Sequence, residues 1–255
     1  MKKEIRIKNK KGKTIYAVIE WKSKKPGPLV VLCHGYRSFG GTPQVAKVAR
    51  ALREKGFTTV RLDATNSTGK SSGKLVDFTV GGYVQDIKQV VSHTLKYLNQ
   101  KQYILVGYSI GGTAVTVIAS RDRRISRLIL QSPTYDVPAV FEMRDNFTLL
   151  LKQGWAFEYS TIQKKQVKIG IAVYNEARKY DMPKYVSKIE CPVLMVYGSA
   201  EDPRILKLNR KFYSDLNTKI KNKLVIKGAG HTLHQDKDSK RLADGIIKWL
   251  NQKDK

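Results

Sequence analysis

Hydrophobic positions along the chain switch repeatedly between the spacing of a strand and that of a helix. Residues 29–33 are continuously apolar, as in a strand buried on both faces. Val45, Val48, Ala49 and Leu52 then recur at helical spacing. Further segments of one or the other kind follow at residues 57–62, 80–98, 103–106, 111–120, 128–131, 193–197, 205–216, 223–226 and 239–250. This alternation predicts an α/β fold with a mostly parallel central sheet and helices on both faces.

Two segments depart from this rhythm. Residues 3–7 and 14–21 alternate apolar and polar positions around a turn, which predicts an opening β-hairpin. Between residues 133 and 187 the apolar runs are short and aromatic residues are frequent. Because the chain has no internal repeat and no low-complexity linker, we interpret it as one domain. The predicted core comprises residues 1–132 and 188–255, with residues 133–187 inserted as a cap or lid.

Composition narrows the class of protein. The hydrophobic share of 41% is too high for a disordered chain, and two cysteines are too few for a small disulfide scaffold. No apolar run approaches the length of about 20 residues that spans a bilayer. The first residues lack the continuous apolar segment of a signal peptide. We therefore expect a cytoplasmic protein without a membrane span; the oligomeric state stays open.

The charge balance is strongly basic, with 48 Lys and Arg against 21 Asp and Glu, a net charge of +27. Such a charge raises the question of nucleic-acid binding. The lysines are scattered along the whole chain, however, and no zinc-ligand spacing accompanies them. We expect a basic surface with weak, salt-sensitive adhesion to polyanions and no specific nucleic-acid site. Anionic substrates are compatible with this charge, although no single residue indicates them.

The strongest motif is Gly-x-Ser-x-Gly at residues 107–111, placed between a predicted strand and a predicted helix. A sharp turn at this place exposes the serine hydroxyl to a cleft, and the following helix directs its amides at an anionic intermediate. We predict that Ser109 is the nucleophile of an acyl-transfer enzyme. Small residues are needed at Gly107 and Gly111 because the turn brings backbones close together.

A nucleophilic serine needs a base, and the base needs a carboxylate that orients it. His231 follows the predicted strand at 223–226 and is the predicted base, with His234 as the alternative. The carboxylate belongs between Ser109 and His231 in the chain. Asp202 is the choice, and the adjacent Glu201 is a rival that spacing alone does not exclude.

An oxyanion hole requires two backbone N–H groups. Ile110 directly follows the nucleophile and is expected to supply one of them. The loop after the strand at 29–33 is expected to supply the other, from Tyr36. His34, in the same loop, is interpreted as a residue that organises the loop rather than as a second base. No cofactor or metal is needed for this chemistry, and the sequence shows no metal-ligand cluster.

Together these motifs resemble the α/β-hydrolase superfamily over essentially the whole chain. Within it, the His-Gly-aromatic loop and the cap of roughly 50 residues resemble the feruloyl/cinnamoyl esterase and monoacylglycerol-lipase-like group. Esterases of this group usually carry Asp three residues after the strand-end glycine, where this sequence has Glu201. Asp202 is nevertheless preferred because Pro203 and Ile205 follow it, as in the family.

The resemblance implies a serine hydrolase that acts on small-molecule carboxylic esters with short acyl or aromatic, feruloyl-type acids. The aromatic-rich cap is expected to supply walls of the substrate site, with Trp155 and Tyr174 as its first candidate contacts. Two alternatives remain at this stage. One is a peptidase, thioesterase or acyltransferase of the same fold, and the other is a non-catalytic polyanion-binding protein, against which the complete triad argues.

Overall fold

An eight-stranded sheet forms the centre of the computed structural model, which describes residues 1–161, 163–233 and 235–252. Its strands in chain order are β1 (Lys2–Lys8), β2 (Thr14–Glu20), β3 (Leu29–Cys33), β4 (Thr58–Asp63), β5 (Tyr103–Tyr108), β6 (Ile125–Gln131), β9 (Val193–Gly198) and β10 (Lys221–Ile226). They lie side by side in the order β1-β2-β4-β3-β5-β6-β9-β10. β1 and β2 pair antiparallel, as the opening hairpin predicts, β2 is antiparallel to β4, and all other pairs are parallel. The predicted fold class is confirmed.

Helices cover both faces of this sheet. They are α1 (Pro43–Glu54), α2 (Val80–Leu98), α3 (Ile110–Ala119), α8 (Pro203–Asp215) and α9 (Asp236–Leu250). β3 shows why both faces must be covered: Leu29, Val31 and Cys33 join the core beneath α2 and α3, whereas Val30 and Leu32 join the core beneath α1 and α9. A strand with this two-sided burial has the continuously apolar sequence from which it was predicted.

Two strands begin earlier than their apolar runs predict, because their first residues include polar ones. β10 begins at Lys221, two residues before the apolar pattern indicates, because it lies at the edge of the sheet and exposes Asn222 and Lys223. β6 likewise begins at Ile125, where the partly exposed Ser126 and Arg127 interrupt the apolar run. Backbone pairing extends these strands where side-chain hydrophobicity gives no signal.

The chain leaves the sheet after β6 and returns at β9. This excursion contains α4 (Val137–Glu142), α5 (Phe147–Gln153), β7 (Trp155–Ser160), β8 (Lys165–Gly170), α6 (Ala172–Ala177) and α7 (Met182–Val186). β7 and β8 form a separate antiparallel pair, α6 contacts α2, and α7 contacts α3 and α8. An insertion that rests on the core helices in this way supports the interpretation of residues 133–187 as a cap, although its boundaries stay a prediction.

The described helices include none that is both long and apolar enough to cross a bilayer.

The central position of β5 gives a first testable expectation. Leu105 lies in the middle of β5 and is 0% exposed. Leu105→Ala should lower the free energy of unfolding by about 2–5 kcal/mol, because it removes buried methyl groups and leaves a cavity. Urea denaturation measures this difference. Val225→Ala on the edge strand β10, where the side chain is 43% exposed, is the control and should lose no more than about 1 kcal/mol. Equal losses would contradict the placement of β5 at the centre.

Candidate active site

Ser109 alone joins the end of β5 to the start of α3. Its backbone adopts φ 51° and ψ −121°, a left-handed conformation that L-residues rarely take. The turn is possible because its glycines carry no side chain. A Cβ on Gly107 would lie 2.7 Å from the carbonyl oxygen of Gly111, and a Cβ on Gly111 would lie 2.8 Å from that of Cys33. The small residues expected at 107 and 111 are therefore required by backbone contact.

His231 lies beside this turn, in the loop that follows β10. Its Nε2 is 3.1 Å from Ser109 Oγ, and its Nδ1 is 3.0 Å from Glu201 Oε2. An ionised carboxylate only accepts hydrogen bonds, so the imidazole proton resides on Nδ1 and Nε2 accepts from the serine hydroxyl. The structure thus brings together two residues that the sequence predicts, Ser109 and His231, and the rival carboxylate Glu201.

Glu201 is held as a buried carboxylate at the end of β9. Its side chain is 0% exposed, and Oε1 accepts hydrogen bonds from the Ser132 hydroxyl and from the Gly198 N–H at 3.3 Å. Burial by itself would raise the pKa of the Glu201 carboxyl. The hydrogen bonds from His231, Ser132 and Gly198 outweigh burial and leave that pKa below its ordinary value. Glu201 is therefore ionised at neutral pH.

Asp202, the predicted partner of the histidine, is directed away from the site, so the structure corrects this assignment. Its carboxylate caps α8 by accepting from the Arg204 N–H at 2.8 Å, and it pairs with the Arg204 guanidinium at 2.6 Å. The Arg204 contacts lower the pKa of Asp202 to about 2. The sequence contained a signal for this role, because Asp followed by Pro203 is typical of a helix start. His234 lies outside the described residues.

The loop after β3 lies against the nucleophile. A Cβ on Gly35 would lie 3.3 Å from Ser109 Cβ, so the Gly35–Tyr36 backbone runs beside the serine. Among the described residues, no acceptor is bonded to the N–H of Tyr36 or to that of Ile110, the first residue of α3. Both groups are available to an oxyanion, and that role remains a proposal.

His34 stabilises this loop from within the core. Its ring is fully buried; Nε2 accepts from the Ala64 N–H at 3.0 Å, and Nδ1 donates to the Gly35 carbonyl at 2.7 Å. Burial lowers the pKa of His34, which favours the neutral ring. Both ring nitrogens are occupied away from Ser109, in keeping with an organising role.

Ser109 and His231 open onto a cavity of about 660 Å³. The core contributes residues from the loop after β3, from α1 and from α8. The insertion contributes Pro133, Thr134, Tyr135, Val140, Arg144, Ser160, Thr161 and Lys164. The hydroxyl of Thr134 lies 3.3 Å from Ser109 Oγ. Sequence analysis expected the cap to supply walls of the site but missed these particular residues, because they lie in loops and short elements that carry no motif.

The two aromatic residues expected in the cavity wall are elsewhere. The ring of Trp155 packs edge-on against Phe157 at 5.5 Å, under the ammonium group of Lys168. Tyr174 donates its hydroxyl to Glu142 at 2.9 Å. Neither residue lines the cavity. Both side chains are engaged within the insertion itself, so the structure corrects their assignment as substrate contacts.

Comparison with known proteins identifies a family for this chain. The family described as serine aminopeptidase, S33, matches residues 24–181, which is more than half of the chain. The chain belongs to this α/β-hydrolase family. No curated protein matches the hydrolase in sequence. The superfamily resemblance predicted from the motifs is confirmed.

Solved structures of similar fold cover nearly the whole hydrolase. Est1E from Butyrivibrio proteoclasticus with ferulic acid bound is 21% identical, with a TM-score of 0.82 over 96% of this chain and 97% of its own. The monoacylglycerol lipase of Paleococcus ferrophilus is 20% identical, with a TM-score of 0.72 over 92% of this chain and 98% of its own. Alpha/beta hydrolase domain-containing protein 10 from mouse is 18% identical, with a TM-score of 0.78 over 98% of both chains. At these identities the likeness shows the fold alone.

The buried contact between Ser132 and Glu201 can be tested through stability. Ser132→Ala should lower the free energy of unfolding at neutral pH by about 1.5–3 kcal/mol, because a hydrogen bond to a buried charge is lost. The matched control is Ser199→Ala, an exposed serine whose hydroxyl accepts from the Gly228 N–H, and it should lose less.

The same contact has a pH dependence with a definite sign. The pKa of Glu201 is lower in the folded protein than in the unfolded chain, so its ionised contacts stabilise the fold above the ordinary glutamate pKa. This contribution disappears as pH falls through the lowered pKa. The deficit of Ser132→Ala should therefore shrink on acidification, as urea denaturation across a pH series can measure. A deficit that is independent of pH would contradict the ionised contact.

Proposed function

We propose that this hydrolase is a serine carboxylic ester hydrolase that acts through an acyl-enzyme on small, aromatic or short-acyl esters. One observation carries the proposal: Ser109 Oγ, His231 and Glu201 form a continuous hydrogen-bonded chain, with contacts of 3.1 and 3.0 Å, at the wall of a cavity. A hydroxyl with its base and orienting carboxylate in this order is the arrangement that serine acyl transfer requires.

Each residue has a defined task in this reaction. Ser109 Oγ attacks the ester carbonyl carbon while its proton passes to His231 Nε2. The N–H groups of Tyr36 and Ile110 stabilise the negative charge on the carbonyl oxygen. His231 then gives its proton to the departing alcohol, which leaves the acyl group on Ser109. A water molecule, deprotonated by His231, releases the acid and restores the serine. Throughout, Glu201 holds Nδ1–H and stabilises the imidazolium form.

The charges around the cavity favour an ester over a peptide with a free amino terminus. An aminopeptidase binds the ammonium group of its substrate, which calls for carboxylates in the wall. The described wall holds Arg37, Lys47, Arg144 and Lys164 and no Asp or Glu. The charge of the described wall therefore favours an ester over the substrate of an aminopeptidase.

The size of the site supports a small substrate. A cavity of about 660 Å³ falls within the range of pockets that hold drug-sized ligands. The similarly folded Est1E holds ferulic acid, and another neighbour is a monoacylglycerol lipase, so aromatic and aliphatic acyl groups are both to be tested.

The two adjacent acids provide a sharp test of the triad. Glu201→Gln should lower kcat by up to about 10⁴-fold, because the amide no longer fixes the imidazole tautomer or stabilises its charged form. Asp202→Asn keeps a capping side chain outside the site and should retain most of the activity. Steady-state kinetics on one p-nitrophenyl ester compares the two variants. A large loss in Asp202→Asn with none in Glu201→Gln would reverse the assignment.

The reaction class can be tested with a substrate panel. We expect hydrolysis of short p-nitrophenyl esters in the series from acetate to palmitate, or of methyl ferulate, and none of an amino-acid p-nitroanilide. Ser109→Ala should abolish turnover, because it removes the hydroxyl that forms the acyl-enzyme, and its circular dichroism should match that of the unmodified protein. Turnover that persists in Ser109→Ala, or that is confined to the p-nitroanilide, would contradict the proposal.

A further inference from the structure

The cavity wall carries positive charge that the protein compensates only in part. Because the whole chain is basic, the number of cations in the wall is not informative by itself. Their partners are. Lys47 pairs with Asp236, which balances its charge. The remaining three cations are Arg37, on the loop after β3, and Arg144 and Lys164, on the insertion. They outnumber the carboxylates that pair with them.

Arg37 and Arg144 depend on one carboxylate. Arg37 binds Glu158 Oε2 at 2.8 Å, and Arg144 binds the other oxygen of the same group. The three side chains are only 30%, 20% and 14% exposed, for Arg37, Arg144 and Glu158 respectively. Two guanidinium groups facing one carboxylate leave about one positive charge in a place where water screens it poorly.

The surroundings of the two arginines show the same deficit. Burial, together with repulsion from Arg144, lowers the pKa of Arg37, although Glu158 opposes the shift. The Nε–H of Arg144 is buried, and no acceptor among the described residues is bonded to it. A second carboxylate at this wall would supply the missing charge and hydrogen-bond acceptors.

Lys164, which lies on the insertion like Arg144, adds a further cation to the cavity wall. It lies in the turn between β7 and β8, is exposed, and adopts a φ of 52°. No carboxylate in the described part of the chain pairs with it. The next residue, Lys165, is also exposed but does not line the cavity. The two neighbouring lysines therefore differ in position relative to the cavity and hardly in chemistry.

We propose that Arg37, Arg144 and Lys164 form a subsite for a carboxylate of the substrate, so that the preferred esters carry a carboxylate besides the ester group that is cleaved. The planar fork of an arginine side chain binds a carboxylate through paired hydrogen bonds, which gives orientation as well as charge complementarity. This inference rests on the proposed ester hydrolysis and names its substrate class.

Matched substrates that differ in one charge test the proposal. For a charge on the acyl side, the mono-p-nitrophenyl ester of adipic acid is compared with p-nitrophenyl hexanoate. For a charge on the alcohol side, 4-butyryloxybenzoate is compared with its methyl ester. We expect the anionic member of at least one pair to have a kcat/KM higher by about tenfold or more, the effect of one charge-assisted hydrogen bond. Added salt should reduce the part of this preference that comes from Lys164, because that side chain is exposed to solvent.

Three variants separate the subsite from general surface charge. Arg144→Gln leaves Arg37 and Glu158 as a balanced pair, and Lys164→Gln removes the unpaired lysine. Each should lower the ratio of anionic to neutral kcat/KM severalfold, mainly through a higher KM for the anionic ester. Lys165→Gln changes the net charge equally and should leave the ratio as it is. If Arg144→Gln does not fold, which thermal unfolding shows, the comparison of Lys164→Gln with Lys165→Gln still decides.

The outcomes distinguish the two proposals. Neutral esters that are hydrolysed through Ser109, with no preference for the anionic member of either pair, would overturn the carboxylate subsite and leave the ester hydrolase intact. A preference that Lys165→Gln reduces as much as Lys164→Gln would also overturn it, since overall charge would then be the cause. Absence of hydrolysis for every ester would overturn both proposals.

Discussion

Ser109 is the only residue between the fifth strand and the helix that follows it, and the chain passes through this point with a φ of 51°. Such a conformation persists only where the surroundings hold it. Here Gly107 and Gly111 allow the helix to press against the strand end and against the carbonyl of Cys33. Because β5 lies between β3 and β6 in a parallel sheet, the turn also brings Ser109 next to the loops that leave those two strands. The other residues of the site are positioned relative to this turn.

The neighbouring strands then supply the other groups in spatial order. Ser132 follows β6, Glu201 follows β9 and His231 follows β10, so all three lie at the carboxyl-terminal ends of the parallel strands. The buried carboxylate of Glu201 is the most demanding of these, because a buried charge must be matched by donors. The His231 ring, the Ser132 hydroxyl and the Gly198 amide provide them, and they outweigh burial in setting the pKa of Glu201. Positioning of the base and ionisation of its partner therefore depend on the same few contacts.

The sequence was informative where one local signal determines one outcome. β3 and α2 have the predicted limits, since two-sided burial and helical spacing are visible in the chain itself. The position three residues beyond Gly198 indicated Glu201, but Asp202 was preferred because Pro203 and Ile205 follow it. Its place before Pro203 is that of a helix cap. The residues with which the insertion lines the cavity could not be predicted, because they lie in loops and short elements that carry no motif. Aromatic content pointed to Trp155 and Tyr174, whereas tertiary packing places Arg144 and Lys164 there.

The basic wall and the proposed oxyanion loop are parts of one structure. Arg37 directly follows Tyr36, has a φ of 57°, and binds Glu158 on β7, so an ion pair joins the loop beside the nucleophile to the insertion. Arg144 contacts the same carboxylate, and its guanidinium lies over the Tyr36 ring. A carboxylate bound at this wall would compete with Glu158 for groups that also position the Tyr36 backbone. Recognition of charge and stabilisation of the oxyanion would then act through adjacent residues of one loop. Such coupling requires that the protein neutralise the two arginines only in part. If the protein itself supplied a second carboxylate, the loop would be held in the same way with and without substrate.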